Sequence, residues 1–134
     1  MPITDYDFSD RVFFAKESDL ITGDEANTWA RKLAECALAS DQPIVALVDA
    51  LEVRQVSVAA HQIFTKASFT ANLLAVVVAT NDVVRLTATT IGMLGKRGKT
   101  VVFPTLEKAR EYTESLLNDN AHKHETGQNP ETTE

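Results

Sequence analysis

From about residue 43 the chain alternates short apolar runs with amphipathic stretches, and that alternation constrains the fold more than any other feature. Pro43 opens Ile44-Val45-Ala46-Leu47-Val48, which stops at Asp49. Leu73-Leu74-Ala75-Val76-Val77-Val78-Ala79 stops at Thr80-Asn81-Asp82, and Thr100-Val101-Val102-Phe103 stops at Pro104. Runs this short, rich in β-branched residues and apolar at successive positions, are strands covered by helices. Between them the period changes. Ala60, Ile63, Phe64 and Ala67 follow the i, i+3, i+4, i+7 stripe of a helix with one buried face. Val83, Val84, Thr87, Ile91 and Leu94 repeat it less cleanly, with Asp82 placed to cap the start and Gly95 or Gly98 to end it. Leu106, Ala109, Tyr112, Leu116 and Leu117 mark a last helix, with Thr105 as its N-cap and Glu107 in the first turn, where the dipole favours a carboxylate.

The first forty residues begin differently. Asp5 to Lys16 alternates loosely through Tyr6, Phe8 and Val12-Phe13-Phe14-Ala15, with Ser9-Asp10 between the halves, which predicts a hairpin of two short strands. Thr22-Gly23-Asp24-Glu25 has the form of a capping box. The helix it starts carries Ala26, Trp29, Ala30, Leu33, Cys36 and Ala37 on its inward stripe. The predicted architecture is an α/β domain of order β-β-α-β-α-β-α-β-α. Its mixed sheet combines the N-terminal hairpin with parallel inner strands and is flanked by four helices. The domain is expected over residues 1–117, and residues 118–134, too poor in apolar side chains to fold, are expected to form a disordered acidic tail.

Composition decides what such a domain can do. The 134 residues are 44% hydrophobic and 24% charged, enough for one domain with a core that needs neither disulfide nor structural metal. Cys36 is the single cysteine, and no Cys/His spacing resembles a zinc site, so a reducing, cytoplasmic location is expected. A net charge of −6 argues against nucleic-acid binding, which draws its affinity from cations laid along phosphates. Half of that charge lies in residues 118–134, so the rest is nearly balanced. No run approaches the roughly 20 apolar residues of a membrane span, and Met1-Pro2-Ile3-Thr4-Asp5 lacks the basic and apolar regions of a signal peptide.

The chemistry-bearing candidates are few. Asp49 stands where α/β folds place their sites, but the acid pair and the lysine of a receiver-type phosphoacceptor are missing. It reads as a turn-former and cap at a strand-to-helix junction. Gly98-Lys99-Thr100 imitates the end of a P-loop. Met93 stands where the first glycine is required, and the segment leads from helix to strand instead of the reverse. What survives is a basic cluster at Lys96, Arg97 and Lys99. His61 lies just off an apolar stripe with no partner at metal spacing, His122 and His124 lie in the tail, and Cys36 is a core residue. No serine sits in a nucleophile elbow, so no catalytic set, metal or cofactor is implied. Ser57 starts the second helix as its N-cap. The same free backbone N–H groups would stabilise a phosphate there, which makes Ser57 the candidate for phosphorylation.

The element order and three local phrases resemble the STAS domain family, in particular its SpoIIAA-like branch of bacterial anti-sigma factor antagonists. The phrases are Ile44 to Asp49, the helix start at Ser57, and Val101-Val102-Phe103-Pro104-Thr105-Leu106-Glu107-Lys108-Ala109. The resemblance covers residues 3–117. In the antagonists a serine at the helix start is phosphorylated. Aligning Asp49 with the family's strand aspartate puts Ser57 on the acidic position and Val58 on the phosphoacceptor, so that switch is absent at Val58. The resemblance implies a non-catalytic regulatory module that binds another protein, or itself as a homodimer. The expected contact face is the loop 50–56 and the helix start after it, with Glu52, Arg54, Val56, Ser57, Val58 and His61 as its residues. SpoIIAA-like proteins also resemble lipid-carrying domains. The alternative is therefore a carrier or sensor of a small apolar ligand in a pocket between helices, lined by Ile63, Phe64, Ile91 and Leu94.

Overall fold

The computed structural model describes residues 3–81 and 100–126. They form strand β1 (Ile3–Ser9), strand β2 (Val12–Ile21), helix α1 (Gly23–Ala39), strand β3 (Ile44–Val56), helix α2 (Val58–Ala67), strand β4 (Leu73–Thr80), strand β5 (Thr100–Phe103) and helix α3 (Leu106–Thr126). One sheet runs β1-β2-β3-β4-β5 in space. β1 and β2 are antiparallel and every later neighbour is parallel, the mixed α/β sheet read from the sequence. The third of the four expected helices, over 82–94 with Ile91 and Leu94 on it, lies outside the described residues, as does the Lys96, Arg97, Lys99 cluster.

β3 is buried on both faces. Ile44, Ala46, Val48 and Ala50 join the core under α1 and α2, whereas Val45 and Leu47 join the core under α3, because successive side chains of a strand point to opposite faces. Trp29 anchors the first core between Phe13 of β2 and Phe64 of α2, with ring centroids 6.3 and 5.3 Å away. Ala109 of α3 seats the second against β3 and β4, and Phe103 packs on Tyr112 at 5.2 Å. Gly23 opens α1 where space is short: a Cβ there would meet the Ala59 Cβ at 3.0 Å, so the glycine lets the first turns of α1 and α2 touch.

The caps are those expected. The Glu25 carboxylate accepts from the backbone N–H and the hydroxyl of Thr22, both at 2.9 Å. The Thr105 hydroxyl accepts from the Lys108 N–H at 3.2 Å at the start of α3. Three boundaries differ from expectation. β2 continues past Lys16 to Ile21, and β3 runs through residues 50–56, so the expected loop there is strand. α3 continues past Leu117 to Thr126, so the expected tail begins as helix. Extending an existing helix carries no nucleation cost, and Asn120 is docked, its Oδ1 accepting from Arg11 Nη2 at 2.7 Å.

Candidate functional site

β2 and β3 outrun their neighbours at their C-terminal ends. The pairing of β1 with β2 reaches Glu17, opposite Ile3, and that of β4 with β3 ends at Ala50 opposite Thr80. Beyond these points Ser18–Ile21 and Glu52–Val56 pair with each other in a two-stranded ribbon. Asn81 ends the β4 ladder with its side chain, its Nδ2 donating to the carbonyls of Leu51 and Val53 at 2.9 Å each. Past that clamp, no described strand pairs with the outer edge of β3. Exposed Lys16 and Glu52 form an ion pair at 3.2 Å at the root of the ribbon.

α2 starts where the ribbon ends. The Ser57 N–H donates to the Ile21 carbonyl at 3.0 Å, and its hydroxyl accepts from the Ala60 N–H at 3.1 Å, so Ser57 is the N-cap it was expected to be. On either side of this junction stand two exposed apolar side chains, Leu20 at 44% and Val58 at 75% of full exposure. The structure therefore brings Glu52, Arg54, Val56, Ser57 and Val58 to one end of the molecule, though on a strand and a helix start and not on a loop. Val56 is half-buried against the core, and Glu52 and Arg54 face solvent. His61 is half-buried one turn into α2, and its carbonyl accepts from the Thr65 hydroxyl at 2.9 Å. Leu20 belongs to the part of β2 that lies past the expected hairpin end at Lys16.

Asp49 is corrected as well. It stands within β3, not at a strand-to-helix junction. Between the Lys16–Asp49 pair and the Ser18–Glu52 pair, β3 carries one residue more than β2, and Asp49 Oδ1 accepts from the Leu51 N–H at 3.2 Å at that bulge. Among the described residues no three His, Cys, Asp or Glu side chains gather into a metal-holding set.

No protein-family model and no curated protein matches the chain. Among solved structures it is similar to an uncharacterized protein of the DUF3478 family from Shewanella loihica PV-4, which has a SpoIIAA-like fold. The TM-score is 0.60 over 83% of this chain and 93% of that one, at 16% sequence identity. The chain has a SpoIIAA-like fold. At that identity the likeness is one of architecture.

Within this SpoIIAA-like domain two buried polar atoms stand apart from the ribbon. Glu17 is 5% exposed, and its Oε2 has no hydrogen-bond partner. Burial pushes its carboxyl up to about 8, so it is held neutral well above the ordinary carboxylate range. Trp29 Nε1, in a residue 1% exposed, is likewise unpartnered. Ile63 and Phe64, expected to line a ligand pocket, pack against this same core. Burial, with the Glu35 carboxylate adding to it, also pushes the Cys36 thiol up, away from thiolate chemistry. No described helix is long and apolar enough to cross a membrane.

Proposed function

We propose that the chain is a non-catalytic regulatory module that binds another protein, a second copy of itself included, through the tip of the β2–β3 ribbon and the start of α2. The observation that carries this reading is the exposure of Leu20 and Val58, each next in sequence to one partner of the Ser57–Ile21 hydrogen bond. Exposed apolar side chains ringed by polar ones are a common makeup of a protein contact. Glu52 and Arg54 supply that polar rim. Val56 and Ser57 hold the face in shape, one by packing and the other by capping, and His61 backs it from α2. A phosphate on Ser57 would meet the same backbone N–H its hydroxyl now accepts, which keeps it the residue proposed for phosphorylation.

The test is charge placed on the face without disturbing the cap. The double variant Leu20→Glu, Val58→Glu should lose self-association in sedimentation equilibrium, or retention of a purified partner, while its stability stays within about 0.5 kcal/mol of the parent. Unchanged association would contradict the proposal. The second reading is a carrier of a small apolar ligand between helices, for which Phe64, packed on Trp29 at 5.3 Å, would have to yield space. Native mass spectrometry of the purified protein tests it directly: a retained small molecule supports it, and a bare polypeptide mass counts against it.

A further inference from the structure

Among the described residues, the face of the sheet opposite α1 is incompletely covered. α3 packs over β3, β4 and β5, and beside it, against the hairpin of β1 and β2, a cavity of about 330 Å³ remains. That is the size of a small-molecule site. Its lining is mixed: Val12, Phe14 and Leu117 supply half-buried apolar surface, Leu47 is buried, and Ser9 is exposed. Thr113, also in the lining, spends its hydroxyl proton on the Ala109 carbonyl at 2.9 Å. The charged groups stand on two facing walls, Asp7 and Asp10 at the end of the hairpin and Arg110 and Glu114 on α3.

Those walls are held in place. Asp10 and Arg11 form a two-residue turn in which both have positive φ, 51° and 66°, a conformation that usually recruits asparagine and glycine. Arg11 is kept there by bonds from its Nε to the Pro43 carbonyl at 2.9 Å and from its Nη2 to Asn120 of α3 at 2.7 Å. The hairpin and helix walls are thereby tied together at one end. Among the lining residues three carboxylates stand with one guanidinium, and the Arg11 guanidinium at the tied end is engaged by Pro43 and Asn120. The Arg110 guanidinium already lies over the Phe14 ring, 5.2 Å from its centroid, so the aromatic ring accepts a cation.

We propose that this cavity binds an organic cation, a protonated amine carried on an apolar body. The ammonium would stand between Asp7 and Asp10 on one wall and Glu114 on the other, and the body would lie against Val12, Phe14 and Leu117. The chain's own C-terminal residues 127–134 are no candidate by charge, since they carry Glu131 and Glu134 and no base. The site shares no residue with the ribbon tip, so it stands whether or not the ribbon is a protein contact.

Two probes with similar aromatic bodies and opposite charges test the assignment. In ¹H–¹⁵N spectra of the full chain, phenethylammonium should give saturable shifts at Asp10, Phe14, Thr113 and Leu117, and phenylacetate should bind about tenfold more weakly or not at all. Neutralising the walls with Asp10→Asn and Glu114→Gln should weaken phenethylammonium about fivefold; asparagine tolerates the left-handed turn. Arg110→Gln removes the competing cation and should strengthen it. Equal binding of both probes, no saturable shift at these amides, or weaker phenethylammonium binding by Arg110→Gln would each overturn the proposal.

Discussion

The two faces of the sheet are built on opposite compromises. On one, α1 and α2 close over an aromatic cluster so tightly that a carboxyl and an indole N–H are sealed in without partners. On the other, among the described residues, α3 reaches β3 to β5 and leaves Phe14 half-buried beside an open groove. The closed face gains burial and leaves polar groups unsatisfied, whereas the open face gives up burial and keeps a surface on which a ligand can bind. Neighbouring residues of β2 show the contrast: Phe13 is sealed, and Phe14 shares its ring with a guanidinium.

Truncation measures how far the comparison holds. Trp29→Ala should cost about 3–5 kcal/mol in urea unfolding, since it empties the centre of the closed face. Phe14→Ala should cost about 1–2 kcal/mol, in keeping with a ring only half removed from water. Equal costs would mean that the second face is as tightly packed as the first.

Glu17 sharpens the comparison through pH. Its carboxyl titrates near 8 in the folded chain against an ordinary value of 4.5, so between these limits the unfolded chain gives up a proton that the folded chain keeps. This contribution is fully present below pH 4.5, falls by up to about 1.4 kcal/mol per pH unit as pH rises through that window, and is flat above pH 8. Unfolding curves across the window should show the decline in the parent and its absence in Glu17→Gln. The smallest effect lies at the junction of ribbon and helix, where Ser57→Ala should cost about 1 kcal/mol through the lost cap.

Much of this was legible in the sequence, and for physical reasons. Ile44 to Val48 and Leu73 to Ala79 are apolar on both faces because both faces are covered, and Thr22, Ser57 and Thr105 announce helix starts through side chains that take free N–H groups. The ribbon was missed because Glu52, Arg54 and Gln55 look like loop residues. The signal was present in the alternation Leu51-Glu52-Val53-Arg54, in which Val53 turns inward and is fully buried. Helix α3 was ended at its last apolar pair, although an established helix continues through polar residues such as Asn118 and Asp119. The cavity had no sequence signature, since Asp7, Asp10, Arg110 and Glu114 meet only when the hairpin is set against α3. Glu17 carries no signal of its own in the sequence, because its alternation with Phe13 and Ala15 points inward only once β2 is known to reach Ile21.

The claim that the ribbon tip is the working surface is tested most directly by a photo-crosslinking amino acid placed at position 58 and, separately, at position 38 of the full chain in its native host. Leu38 is 84% exposed, more than Val58, but stands at the far end of α1. The account predicts a crosslinked species of one defined mass from position 58, none from position 38, and loss of the former when Leu20→Glu is added. No product from position 58, or the same product from both positions, would contradict it.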